Sequence, residues 1–182
     1  MMAQRQIHNL ALTGFMGAGK SSVGRLVAGQ LRFDFVDTDE LVERRAGKSI
    51  TRIFAEEGEP AFREFERQIV CELAARRRTV IATGGGLGAN AENVASLKQH
   101  ALVVCLWSTP EGIWSRVRSQ QHRPLLMQDG NPLEKIRTLL AARAPFYKLA
   151  DVLVGTELRS TRNVADHVIH QFHLACAKRV ER

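Results

Sequence analysis

Two hydrophobic periods alternate along the chain. Leu10-Ala11-Leu12 is a short apolar run closed by a glycine-rich turn, which predicts a strand. Val23, Leu26, Val27 and Leu31 recur at helical spacing, so a helix is predicted over 20–31. Phe33 to Val36 reads as a second strand. A long, mostly charged stretch follows from Asp39 to Arg78, with helical spacing at Leu41-Val42, Ile53-Phe54 and Phe62-Phe65-Ile69-Val70-Leu73. Thr79-Val80-Ile81-Ala82 predicts a buried strand stopped by Gly84-Gly85-Gly86. Asn90 to Lys98 is helical, Ala101 to Leu106 is a continuous apolar strand, and Pro110 marks a helix start. Leu133 to Tyr147 is helical, Val152-Leu153-Val154 is a fifth strand, and Asn163 to Lys178 is a closing amphipathic helix.

Strands that are apolar throughout, rather than alternating, are expected of a parallel sheet covered on both faces. The strand–helix alternation points the same way. The predicted fold class is therefore α/β: a three-layer α/β/α arrangement around a five-stranded parallel sheet. A length of 182 residues suits one domain over 1–182. Ligands of such folds gather beyond the carboxyl ends of the strands, and each motif below directly follows a strand.

Composition changes this picture little. The chain is 45% hydrophobic and 25% charged, which excludes collagen-like, disordered and solenoid classes. No apolar run reaches the roughly 20 residues needed to span a bilayer, and Met1 to Gln6 carries no apolar signal core. The expectation is a cytoplasmic protein without a membrane partner. The net charge of +7 favours anionic ligands. Arg76-Arg77-Arg78 and Lys178-Arg179 are the candidate nucleic-acid patches, but one tyrosine in the chain and no helix-turn-helix or zinc signature accompany them. They read as solvated helix ends, and no nucleic-acid partner is expected. Cys71, Cys105 and Cys176, without CxxC spacing and in apolar surroundings, read as reduced structural thiols. His167, His170 and His173 drift around a helix with no further ligand set, so they read as a polar face.

The first strand is followed by Gly14-Phe15-Met16-Gly17-Ala18-Gly19-Lys20-Ser21, a full match to G-x-x-x-x-G-K-[ST]. Glycines let backbone N–H groups turn inward onto phosphates without an intervening Cβ. The next helix presents its N-terminus to the anion. Lys20 is placed to reach the β/γ oxygens and the Ser21 hydroxyl to ligate Mg²⁺. The chain is read as binding a nucleoside triphosphate with magnesium.

Asp37-Thr38-Asp39 closes the second strand. Asp37 is assigned to the magnesium side, through water, and Asp39 to the acceptor side, where a carboxylate orients a hydroxyl and accepts its proton. The alternative for either is helix capping. Gly84-Gly85-Gly86 after the third strand allows a ligand to lie on bare backbone, the alternative being a tight turn. Arg123 sits in the polar stretch 118–131, which suits a mobile lid closing over the phosphates. Arg63 and Arg143, far apart in sequence, suit a clamp on one carboxylate. The acceptor read from these residues is a small hydroxylated molecule with a negative charge.

Taken together, GFMGAGK at 14–20, DTD at 37–39, Phe62-Arg63 with Glu66, GGG at 84–86, RPLL at 123–126 and RAPFY at 143–147 resemble shikimate kinase in order and spacing along residues 8–156. The resemblance implies transfer of the ATP γ-phosphoryl to the 3-hydroxyl of shikimate, giving shikimate 3-phosphate on the way to chorismate and the aromatic amino acids. It also implies a monomer with the nucleoside-monophosphate-kinase strand order 2-3-1-4-5. By resemblance Lys20, Asp39 and Arg123 are catalytic. Gly17, Ala18, Gly19, Lys20, Ser21, Ser22 and Arg123 bind ATP, and Ser21 and Asp37 serve Mg²⁺. Asp39, Arg63, Gly84, Gly85, Gly86 and Arg143 hold shikimate, with a substrate-binding helical region near 38–66 and a lid near 117–131. Adenine meets a residue after the fifth strand, either Arg159 or Ser160. The third strand lacks the acidic residue common in such cradles, and Asp37 takes that role. Two rivals stand beside this reading. A gluconate-kinase-like enzyme is disfavoured by the aspartate pair and the triple glycine. A nucleotide-sensing regulator would need a DNA-reading module for which no room remains.

The cradle reading carries its own test. Lys20→Ala removes most nucleotide-dependent turnover, measured as ADP release, and leaves the circular-dichroism spectrum intact; unchanged turnover rejects the assignment.

Overall fold

Five apolar segments form the strands β1 (Asn9–Thr13), β2 (Asp34–Asp37), β3 (Thr79–Ala82), β4 (Ala101–Trp107) and β5 (Val152–Gly155). They make one sheet in the order β2-β3-β1-β4-β5, with every neighbouring pair parallel, as expected. These observations come from a computed structural model, which describes residues 5–118 and 130–177. The strands alternate with the helices α1 (Lys20–Leu31), α2 (Thr38–Ala46), α3 (Ile50–Glu56), α4 (Gly58–Leu73), α5 (Ala91–His100), α6 (Pro110–Val117), α7 (Pro132–Tyr147) and α8 (Thr161–Ala177).

The two-residue period of a strand explains how one sheet buries both faces. Leu10, Leu12, Leu102, Val104 and Leu106 pack with Val23 and Val27 of α1 and Val164 and Val168 of α8. Ala11, Ile81 and Val103 face the other way, onto Val42, Ile53, Ile69, Leu73, Val94 and Leu97 from α2 to α5. A smaller cluster of Phe15, Cys105, Ile113, Ile136 and Tyr147 seats α6 and α7. The expected three layers are present.

The long charged stretch forms three helices, one over each group of helical spacing. Gly47 ends α2 in the left-handed conformation (φ 65°), Ser49 caps α3 by accepting from Arg52 N, and Gly58 (φ 81°) starts α4 at a new angle. Other expectations need correction. The central strands β1 and β3 are buried throughout, but β2 and β5 lie at the sheet edges and are partly open, with Leu153 50% exposed. A run of apolar residues therefore does not separate a central strand from an edge. Cys105 is buried, and burial pushes its thiol up to about 11. Cys71, expected in apolar surroundings, is exposed instead. Arg76 to Arg78 lie beyond the end of α4, in the exposed turn before β3. His170 and His173 are exposed on α8, and no metal-holding cluster of His, Cys, Asp or Glu occurs among the described residues.

Asn9, wholly buried at the start of β1, is a polar node that apolar patterning overlooks. Its Nδ2 donates to Arg76 O (2.7 Å) and lies 2.9 Å from His100 Nδ1, while its Oδ1 accepts from Thr79 N (3.0 Å). An accepting Nδ1 keeps the His100 imidazole neutral. Burial, reinforced by the nearby His8 and Arg5, holds its pKa below the ordinary value. The unfolded chain therefore binds the proton more readily, so this contribution to stability is intact above about pH 6.5 and is lost as pH falls towards the folded pKa. Urea melts at pH 7.5 and pH 5.0 are expected to show an acid-side loss that His100→Gln reduces; an identical loss in both proteins removes His100 as its source.

Candidate active site

The parallel sheet brings the turns after β1, β2, β3, β4 and β5 to one edge, around a hollow of about 460 Å³. Residues 16–23 form one wall, Asp37, Asp39, Thr83 and Gly85 a second, and Arg116, Thr156 and Arg159 a third. The loop after β1 turns through positive φ at Gly14, Gly17 and Gly19, so its amides can face inward. Side-chain oxygens of Asp37, Ser49, Asn90, Thr109 and Asn131 cap α2, α3, α5, α6 and α7. The cap of α1 is Gly19, in the left-handed conformation and with no side-chain hydrogen bond. The first N–H groups of α1 thus open onto the hollow at the positive end of the helix dipole. Lys20 Nζ lies over the loop, donating to Gly14 O and Phe15 O at 2.9 Å each.

Asp37 takes the capping role that its position in the sequence allowed, and it also meets the Ser21 hydroxyl. Its Oδ1 caps α2 by accepting from Asp39 N (3.1 Å), and its Oδ2 accepts from Ser21 Oγ (2.7 Å). The strand end and the start of α1 thereby share one carboxylate. A hydroxyl beside a carboxylate is a hard oxygen donor set, the kind that suits Mg²⁺.

Gly84-Gly85-Gly86 form the seam between this cradle and three charged side chains. A Cβ on Gly84 would collide with Asp39 Oδ1, and one on Gly86 with Arg63 Nη1. A Cβ on Gly85 would come within 3.6 Å of Arg143 Nη1. Gly84 and Gly86 therefore let the Asp39 carboxylate and the Arg63 guanidinium lie against bare backbone, and Arg143 reaches the same strip at Gly85. Thr38 Oγ1 accepts from Gly84 N (2.8 Å), and Tyr147 Oη donates to Gly85 O (2.9 Å), pinning the strip from both sides. Burial pushes the Tyr147 hydroxyl up to about 12, so it remains a donor at neutral pH.

Arg63 is held by two carboxylates of its own helix. Nη1 donates to Glu66 Oε2 (2.6 Å) and Nη2 to Glu59 Oε1 (2.7 Å). The Glu66 side chain is 2% exposed, and its Oε1 has no hydrogen-bond partner among the described residues. Burial raises the Glu66 carboxyl above its usual range, Arg63 and Arg143 pull it down, and Asp39 adds to the rise. The guanidinium of Arg143 stands 5.6 Å from the centre of the Phe15 ring.

The structure thus gathers Lys20, Ser21, Asp37 and Asp39 in the hollow and sets Arg63 and Arg143 beside the glycine seam. Of the two adenine candidates, Arg159 lines the hollow, whereas Ser160 Oγ accepts from Asn163 N (3.1 Å) at the head of α8. Arg123 lies outside the described residues, as does most of the expected lid. Sequence reading passed over Arg116, whose guanidinium donates to Thr156 Oγ1 and Thr156 O (3.0 Å each) and to Gly17 O (3.3 Å). It also gave Glu66 no role. The signal for Glu66 was available: it shares the buried face of α4 with Phe62, Ile69, Val70 and Leu73, where a lone carboxylate is out of place.

Residues 16–173 match the family model described as shikimate kinase. A shikimate kinase from Thermodesulfovibrio yellowstonii is 42% identical over 164 residues, covering 90% of this chain and 94% of that protein. One from Thermus thermophilus is 44% identical over 163 residues, covering 89% and 88%. Among solved structures, a shikimate kinase from Acinetobacter baumannii in complex with shikimate superposes with a TM-score of 0.85 at 39% identity, covering 94% of this chain and 95% of that one. A gluconokinase from Sinorhizobium meliloti, at 17% identity and a TM-score of 0.57, shares the fold alone.

The glycine seam is tested by adding the missing atom. Gly84→Ala and Gly86→Ala each displace the far end of a flexible side chain rather than backbone, so the fold survives while Asp39 or Arg63 moves. Each is expected to lower kcat/KM for the hydroxylated acceptor more than about tenfold, since misplacement by about an ångström has such costs, with nucleotide affinity and Tm little changed. Wild-type acceptor kinetics in both variants would refute the arrangement.

Proposed function

The chain belongs to the shikimate kinase family, and from that premise we propose how its hollow divides the work of moving the ATP γ-phosphoryl group to the 3-hydroxyl of shikimate. The observation that carries the reading is the glycine seam, where Asp39, Arg63 and Arg143 meet bare backbone next to a phosphate cradle.

The N–H groups of residues 17–22 and the Lys20 ammonium take the phosphates, Lys20 exchanging its loop carbonyls for β/γ oxygens. Ser21 and Asp37 hold Mg²⁺; when bound, the ion offsets the negative charge of the phosphates. At the seam the guanidinium groups of Arg63 and Arg143 grip the shikimate carboxylate, and the glycine N–H groups steady the ring. Glu66 keeps Arg63 on target; a carboxylate so buried is tolerable because the guanidinium compensates it. Asp39 orients the 3-hydroxyl. The hydroxyl oxygen bonds to the γ-phosphorus as the bond to the β–γ bridging oxygen breaks, and the hydroxyl proton passes to the Asp39 carboxylate, leaving ADP and shikimate 3-phosphate. Arg123 is assigned to neutralise phosphoryl charge from the lid, and Arg159 to the nucleotide side. The proposal extends to one kinase domain over residues 1–182 acting as a cytoplasmic monomer, with the family and the single sheet as its support.

Purified protein offered ATP with shikimate or gluconate is expected to release ADP with shikimate; turnover of gluconate and none of shikimate overturns the reading. Asp39→Asn is expected to lower kcat by about two to four decades. A change confined to the KM for ATP would place Asp39 on the wrong ligand.

A further inference from the structure

The nucleotide end of the hollow is held differently from the acceptor end. The segment after β5 bonds to α6 at two separated points. At the C-terminal turn of α6, Arg116 donates both to the Thr156 hydroxyl and to its carbonyl while also reaching Gly17 O of the phosphate loop. At the N-terminal end of α6, Glu157 Oε1 accepts from Thr109 N (2.8 Å) and from Thr109 Oγ1. Thr109 is itself the N-cap, accepting from Gly112 N (3.2 Å). Gly112 leaves the space that this carboxylate uses, since a Cβ there would stand 2.8 Å from Glu157 Oε1. Glu157 thus spans from the β5 end to the cap of α6, and Thr109 holds its carboxyl below the usual range.

The next residue shows what the latch holds in place. Leu158 is fully exposed and sits at φ 55°, a left-handed conformation that costs a non-glycine residue about 1 kcal/mol or more. It buries nothing that offsets this. Its backbone reversal instead lets Glu157 turn back onto α6 while Arg159 turns into the hollow. Strain at an exposed residue persists when its neighbours are tied down, and here the neighbours are Glu157 on one side and the Ser160 cap of α8 on the other.

We propose that Glu157 is a positioning residue for the nucleotide: by latching the segment after β5 to the cap of α6, it holds Arg159 and Thr156 against the purine end of ATP and thereby sets ATP affinity. Glu157 touches neither phosphate nor acceptor, so its effect falls on nucleotide binding and not on phosphoryl transfer. The inference rests on the phosphoryl-transfer reading above and adds to it a residue with no part in that chemistry.

The test uses the full chain and separate titrations of ATP and shikimate. Glu157→Ala is expected to raise the KM for ATP and the Kd for ADP by about fivefold to tenfold, as for loss of a charged hydrogen-bond acceptor. The KM for shikimate is expected to be unchanged and kcat to move less than twofold. Glu157→Gln retains an accepting Oε1 and is expected to restore ATP affinity to within about threefold of wild type, where an effect of net charge alone would not be restored. An unchanged KM for ATP in Glu157→Ala overturns the proposal. So does a joint rise of both KM values with a lowered Tm, which marks a merely structural contact. If the wild-type protein fails to phosphorylate shikimate at all, the functional reading falls instead, and the ADP titration still decides the latch.

Discussion

A parallel register is the constraint from which the rest follows. When five strands run the same way, their carboxyl ends reach one edge, and each chain segment leaving a strand must begin there. The phosphate loop, the aspartate pair, the triple glycine, the cap of α6 and the segment carrying Arg159 all leave that edge. The register is secured by apolar burial of β1, β3 and β4 on both faces, and by Asn9 tying the opposite ends of β1 and β3 to the end of α5.

Net positive charge does not say where an anion sits. Many of the arginines that create it are paired on the surface: Arg25 with Glu40, Arg45 with Glu72, Arg52 with Glu56, Arg67 with Glu64, and Arg137 with Glu111. Such exposed pairs contribute roughly 0–1 kcal/mol each and attract little in salt. Arg63 differs because its partner Glu66 is buried, which fixes the guanidinium beside Gly86. Removing Arg63 would strand the buried Glu66 carboxylate away from water, whereas Arg63, itself partly exposed, would keep Glu59.

The two ends of the hollow are therefore held by different kinds of contact. The acceptor end rests on an ion pair whose carboxylate is buried, a backbone seam and the buried Tyr147. The nucleotide end rests on part-buried bonds from Arg116 to Thr156 and on the exposed Glu157–Thr109 contact, in a short segment that includes a strained leucine. That distribution suits a site that must shape itself closely to one small acid while releasing ADP after each cycle.

Local chemistry made much of this protein legible from its residues alone. The triphosphate cradle, the parallel α/β class and the acidic and cationic groups of the site could be read because glycine spacing, strand patterning and motif order act over a few residues at a time. Strand order and chemical identity came through resemblance to a family rather than through those local rules. Tertiary structure decided what depends on distance between remote segments. It showed which strands are edges, although β5 is as apolar in sequence as a central strand. It showed that Asp37 both caps α2 and receives Ser21, that Arg159 faces the hollow while Ser160 caps α8, and that Arg116 and Glu157 reach across from α6 and β5. A hydrogen bond between residues 48 apart leaves no periodic trace in the chain, because its energy depends on a separation of about 3 Å that only the packed sheet and helices set.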